Sequence, residues 1–184
     1  MLSEGFLSPN MLAPPIHPEV INVKTLMIMR HAKSSWSKPV PDDQRPLNKR
    51  GKAAATKMGE VIRERGLLPD LIITSIAKRA RSTAKRLIAS SGYKGKVVQS
   101  ATLYFEGVPQ HLKTIMQLDD ALERVMIVGH NPDLESLLME LTGREERMPT
   151  AALAVIDFEV GTWKEIINQR GQLRLLLRPR ELME

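Results

Sequence analysis

No cysteine occurs in the 184 residues. That excludes disulfides, thiolate metal sites and every cysteine-nucleophile mechanism, and it fits a reducing compartment. Aromatic residues are sparse, with two Trp, two Tyr and three Phe, so aliphatic side chains and the ten Met must fill the interior. No apolar run approaches the roughly 20 residues that span a bilayer, and no membrane partner is expected. The chain has neither a G-x-x-x-x-G-K-[ST] loop nor a G-x-G-x-x-G turn. His17, His31, His111 and His130 form no H-x-x-x-H or H-E-x-x-H pattern, so the sequence implies no metal and no cofactor. The adjacent pair Asp42-Asp43 lies many residues past the first apolar run, away from the strand tip where an aspartyl nucleophile would sit.

The remaining composition is ordinary for a globular chain, with 42% hydrophobic and 26% charged residues. The length suits one domain with a sizeable core. A net charge of +6 and a pI near 9.7 suggest either an anionic partner or simply a basic surface. Arg170, Arg174, Arg178 and Arg180 lack interleaved aromatics and match no nucleic-acid motif, so they read as a solvated edge and no nucleic acid is expected. Residues 1–23 hold Glu4 and four prolines but no Lys or Arg, which is unlike a secretory signal. They read as a loosely ordered extension, with Met11 as an alternative start, leaving a domain over 24–184. The cytoplasm is the default location.

From Thr25 onward strand-like and helix-like segments alternate. Strands are expected over Thr25–Arg30, Asp70–Ser75, Arg124–His130 and, less clearly, within Val97–Leu103. Helices are expected over Asn48–Arg65 with Asn48 as N-cap, Lys78–Ser90 closed by Gly92, Pro109–Leu118, and Asp133–Leu141 between Pro132 and Gly143. Ala151–Glu159 and Trp163–Ile167 read as a hairpin turned at Val160-Gly161-Thr162, able to add an antiparallel edge. This pattern predicts an α/β fold, a three-layer sandwich with a mostly parallel central sheet and helices on both faces.

In such sheets ligands bind outside the carboxyl ends of the strands. His31, with Arg30 beside it, ends the first strand, and His130 ends the fourth. Arg79 comes after the second strand, four residues beyond Ser75, and Glu106 lies in the loop after the third. A neutral imidazole can attack phosphorus, arginines can grip the phosphoryl oxygens through paired hydrogen bonds, and a carboxyl can protonate the leaving group.

These residues carry a family resemblance. Arg30-His31-Ala32, Ser75-x-x-x-Arg79-Ala80-x-x-Thr83 and Gly129-His130 resemble the histidine phosphatase superfamily, also called phosphoglycerate mutase-like. Met29–Trp36, Asp43-Gln44-Arg45-Pro46-Leu47 and Val128-Gly129-His130-Asn131-Pro132 resemble more narrowly the SixA-type phosphohistidine phosphatases. So does the short length without a large cap insertion. The resemblance runs from about Lys24 to the C-terminus and departs from the family at Ala32, where glycine is usual. It implies His31 as the nucleophile that becomes a phosphohistidine intermediate, a phosphate pocket of Arg30, His31, Arg79 and His130, and Glu106 as the acid.

The function expected is therefore a metal-independent phosphatase acting on phosphohistidine of a protein, for instance a phosphorelay domain. A small phosphorylated metabolite is the alternative substrate, and a non-catalytic phospho-residue binder is the rival from another class. Ser34 or Ser35 either donates to phosphate or caps the turn. Arg45 and Asp43 are expected to pair and shape the rim, His17 and His111 to be bystanders, and Met27, Met29 and Met126 to pack the core.

Overall fold

The computed structural model describes residues 22–37 and 39–182. Six strands form one sheet: β1 (Lys24–Arg30), β2 (Leu71–Ser75), β3 (Lys96–Ser100), β4 (Arg124–Gly129), β5 (Leu153–Phe158) and β6 (Gln172–Leu177). Their order is β3-β2-β4-β1-β5-β6, parallel from β3 to β1 and antiparallel over the last two. Four helices complete the domain: α1 (Lys49–Glu64), α2 (Lys78–Ser91), α3 (Gly107–Met116) and α4 (Asp133–Thr142). This is the expected α/β sandwich with a mostly parallel sheet.

Successive side chains of a strand point to opposite faces of the sheet, and β1 feeds both apolar layers in this way. Met27 and Met29 enter the layer beneath α1 and α2, whereas Leu26 and Ile28 enter the layer beneath α3 and α4. All four are fully buried, each contributing roughly 1.5–3 kcal/mol of hydrophobic stabilisation. The continuous apolar run of β1 is thus required by a strand covered on both faces.

Helix ends obey the sequence signals. Asn48 Oδ1 accepts from the Gly51 amide at 2.8 Å, and Gly92 and Gly143 close α2 and α4 with positive φ. Gly51 also permits a close approach, since a Cβ there would lie 2.1 Å from the Lys33 carbonyl oxygen. The first turn of α1 is therefore packed directly on the segment just past His31.

The expected hairpin does not form. Trp163–Ile167 is a 3-10 helix, and β5 pairs antiparallel with β1 on one side and β6 on the other. Thr162 and Glu165 make a reciprocal capping box, and Trp163 and Ile166 bury one side of the turn. The Trp163 indole also donates to the Leu122 carbonyl at 2.9 Å. These local bonds outweigh the strand-like composition of the segment.

The sheet order sets the functional geometry. β4 lies between β1 and β2, so the carboxyl ends of these three strands are adjacent. In the β1–β4 pairing Arg30 stands opposite Gly129, which brings His31 and His130 side by side. The region 1–23 falls outside the described residues up to position 21.

Candidate active site

His31 sits just past β1, buried, with its amide bonded to the Gly129 carbonyl at 3.0 Å. Its Nδ1 lies 2.8 Å from the Ala32 carbonyl oxygen, which can only accept, so Nδ1 carries the proton. The lone pair is then on Nε2, where the Arg79 Nε–H points at 3.3 Å. Burial, aided by the nearby Arg79, Arg30 and Arg45 charges, pushes the imidazole down to about 4 despite the Ala32 bond. At neutral pH it is an uncharged base with one defined tautomer.

The His130 ring stands 5.0 Å from that of His31. Its Nε2 lies 2.8 Å from the Ser75 hydroxyl, which accepts from the Ala77 amide at 3.3 Å. With the Ser75 hydroxyl as donor to Nε2, the ring hydrogen would sit on Nδ1, which is buried without a partner. Burial, together with His31 and Arg79, holds His130 down to about 3.

Arg79 is buried in the first turn of α2, while Lys78 and Arg81 on either side are exposed. It is the residue of that basic run which the fold turns inward. Its NH1 and NH2 groups bind the Asp42 carbonyl at 2.6 Å and the Asp42 carboxylate at 2.8 Å. Arg30 donates from NH1 to the Met148 carbonyl at 3.0 Å, and its Nε is buried and unpartnered. Burial lowers the pKa of its guanidinium. The backbone between Arg30 and His31 is braced by the Ala151 amide, which donates to both their carbonyls from a residue with φ of 65°. The Thr83 hydroxyl supports the turn from below by accepting from the Ala32 amide at 2.9 Å.

Asp42 is the residue that sequence reasoning missed. Its carboxylate receives Arg79, Arg45 at 2.9 Å and the Tyr104 hydroxyl at 2.8 Å. Burial acts to raise its pKa, but the bonds from Tyr104, Arg45 and Arg79 outweigh that and hold it at about 2. Arg45 therefore pairs with Asp42 rather than with Asp43, whose carboxylate accepts from Gln44. Arg45 also bonds the buried Ser34 hydroxyl at 2.5 Å and lies 3.2 Å over the Trp36 ring. Ser35 bonds Ser37 instead.

Glu106 is exposed at the N-cap of α3, and its side chain makes no hydrogen bond or ion pair among the described residues. Its neighbour Phe105, at φ 57°, puts its ring 4.9 Å from His130. His111 is buried on α3 with Nδ1 against the Gly107 carbonyl, outside this cluster, and His17 lies outside the described residues. Among the described residues no group of three or more His, Asp or Glu side chains could hold a metal ion.

Buried N–H groups without partners are uncommon. Two buried side-chain nitrogens lack one here, Arg30 Nε and His130 Nδ1, and Arg79 holds a carboxylate beside them. Such groups, near an uncharged imidazole nitrogen, are chemically able to receive an anion.

Residues 26–103 match the model of the histidine phosphatase superfamily, branch 1. A structure from Nakamurella multipartitia assigned as phosphohistidine phosphatase SixA is 25% identical, with a TM-score of 0.76 over 85% of this chain and 96% of that one. A second, from Agrobacterium tumefaciens with the same assignment, is 29% identical, with a TM-score of 0.74 over 85% and 98%. An uncharacterized chloroplastic protein of Arabidopsis thaliana is 29% identical over 158 residues, 80% of this chain and 72% of its own. These matches support assignment of the chain to the histidine phosphatase superfamily, SixA-type, and to the phosphatase hydrolases. No helix among the described residues is long and apolar enough to cross a membrane.

Proposed function

We propose that residues 24–184 form one phosphatase domain that removes the phosphoryl group from phosphohistidine on a protein, through a phospho-His31 intermediate and without a metal. The observations that carry the mechanism are a His31 Nε2 without a proton and the buried Arg30 and His130 nitrogens that have no partner. Nε2 attacks phosphorus as the P–N bond to the substrate imidazole breaks. Arg30, Arg79 and His130 Nδ1–H take the phosphoryl oxygens, stabilising charge where it develops. Water then attacks the phospho-His31, the P–Nε2 bond breaks and phosphate leaves.

Two features support a protein phosphohistidine over a phosphate ester. Asp42 is ionised and ion-paired, so it offers no proton to a leaving alkoxide. Glu106 is the acid in this scheme, acting from the solvent-exposed rim, and the labile P–N bond of phosphohistidine makes only modest demands on it. The mouth is also flanked by the exposed side chains Trp36, Ile76 and Phe105, each on a loop after a strand or its terminal turn. Exposed aromatic and aliphatic residues around a polar site suit a protein surface. Action on such a domain would place the enzyme in phosphorelay signalling.

The test is phosphate release by wild type, His31→Ala and Glu106→Gln from a phosphohistidine protein, p-nitrophenyl phosphate and 3-phosphoglycerate, with and without EDTA. Wild type should prefer phosphohistidine and ignore EDTA, His31→Ala should be inactive on all three, and Glu106→Gln should slow both esters more than phosphohistidine. Preference for 3-phosphoglycerate would move the assignment to a small metabolite. Residual turnover by His31→Ala would remove the covalent mechanism.

A further inference from the structure

Beside the histidine pocket lies a cleft of about 1050 Å³ that shares Arg30 with it. Five more cations line it: Lys33, Arg50, Arg147, Arg178 and Arg180, against the two carboxylates of Glu135 and Glu181. Those carboxylates are already engaged. Glu135 accepts the Met148 amide at 2.7 Å and faces Arg147 at 3.5 Å, and Glu181 lies 3.7 Å from Arg178. Lys33, Arg50 and Arg180 are exposed and form no ion pair among the described residues.

A second observation gives this charge a direction. The N-terminal turn of a helix favours acidic side chains, because its free N–H groups and dipole are positive. The 16-residue α1 has no acid there and carries Lys49, Arg50 and Lys52 instead. Its positive end and Arg50 therefore add to the same field, at the site where Gly51 pins the Lys33 segment to the helix. Between the cations the wall is apolar, formed by Ala54, Met148, Pro149 and Pro179.

We propose that this cleft is a recognition site for an acidic polypeptide segment of the phosphorylated partner, held next to the phosphohistidine that enters toward His31. The inference rests on the protein-phosphohistidine reading for its biological setting. Its chemistry comes from the cleft. The cationic groups belong to α1, the segment after β1, the connection before β5 and the C-terminal turn, and several are at the surface. Such a spread fits several carboxylates along a chain better than the single second anion of a metabolite. The apolar wall accommodates the aliphatic parts of acidic and neighbouring side chains.

The experiment uses the full chain and the double variant Arg50→Glu/Arg180→Glu, with Arg50→Gln/Arg180→Gln as the neutral control. Binding of a fluorescein-labelled glutamate-rich peptide without histidine is measured by anisotropy beside its glutamine counterpart, across ionic strength. Phosphoramidate hydrolysis is monitored in parallel. Wild type should prefer the acidic peptide and lose it with salt, and charge reversal should weaken that binding by about tenfold or more while phosphoramidate turnover is unchanged. Equal affinity for both peptides, or wild-type affinity in the reversed variant, would overturn the proposal. So would a rise in KM for 3-phosphoglycerate with peptide binding unaffected, since the cleft would then serve a metabolite. Because the probe carries no phosphohistidine, peptide binding without hydrolysis of any phosphohistidine protein would refute the substrate reading alone.

Discussion

The histidine pocket and the cationic cleft meet at Arg30 and are built on opposite rules. In the pocket His31, His130 and Arg79 are buried and each is tied, His31 to Ala32, His130 to Ser75 and Arg79 to Asp42. In the cleft the cations are largely exposed and several have no partner among the described residues. The first arrangement fixes protonation and direction, which chemistry at phosphorus requires. The second leaves long side chains free, which suits charge attraction that screening can release. Desolvation is thus concentrated where a bond is to be broken.

The sharpest way to break this contrast is at Arg79. Arg79→Ala should cost on the order of 10²–10³ in kcat, as removal of a transition-state donor does, and Arg79→Lys should recover only part of it. Steady-state kinetics on phosphoramidate measure both. A loss no larger than that of the cleft variants would erase the distinction between the two regions.

Titration comes next. His31 must be neutral to attack, and its folded value of about 4 moves the acid limb of kcat/KM well below the ordinary imidazole range near 6.5. Once corrected for substrate ionisation, the rate should hold between pH 7 and 5. Stability should move the other way. The unfolded chain protonates both histidines near 6.5, but the folded one does so only near 4 for His31 and 3 for His130. Unfolding free energy should therefore fall as pH drops from 6.5 toward 4, which urea titrations at pH 7 and 5 would detect. An acid limb near 6.5 would mean that the pocket is not dry.

The smallest effect is expected at Asp42, which must give up Arg79 before a phosphoryl group can use the same guanidinium. Asp42→Asn should tighten inhibition by inorganic phosphate several-fold, by removing a competing anion from Arg79. Weaker inhibition would show instead that Asp42 chiefly holds Arg79 in place.

Much of this architecture was legible in the chain. Runs such as Met27–Met29 and Val125–Val128 can be buried only as central strands, and the residues at their ends, His31 and His130, then have to meet. Arg79 was recognisable from its spacing to Ser75, although only the inward turn of α2 separates it from Lys78 and Arg81. Asp42 was not legible, because it reaches Arg79 across 37 positions through a loop with no periodicity. The 3-10 turn at Trp163 did leave a signal, Thr162-x-x-Glu165, which was overshadowed by its apolar residues. Arg178 and Arg180, read as a solvated edge, line the cleft, and Arg174 pairs with Asp157. Segments that far apart in sequence acquire a shared role only when the fold closes.

The bond from His31 Nδ1 to the Ala32 carbonyl has a consequence for the identity of the intermediate. Phosphohistidine exists as two regioisomers, and a ring whose Nδ1 is blocked by a main-chain acceptor can form only one. A phosphoryl group taken by His31 must reside on the tele nitrogen, so the adjoining main chain, which never touches phosphorus, dictates the regiochemistry of the transfer.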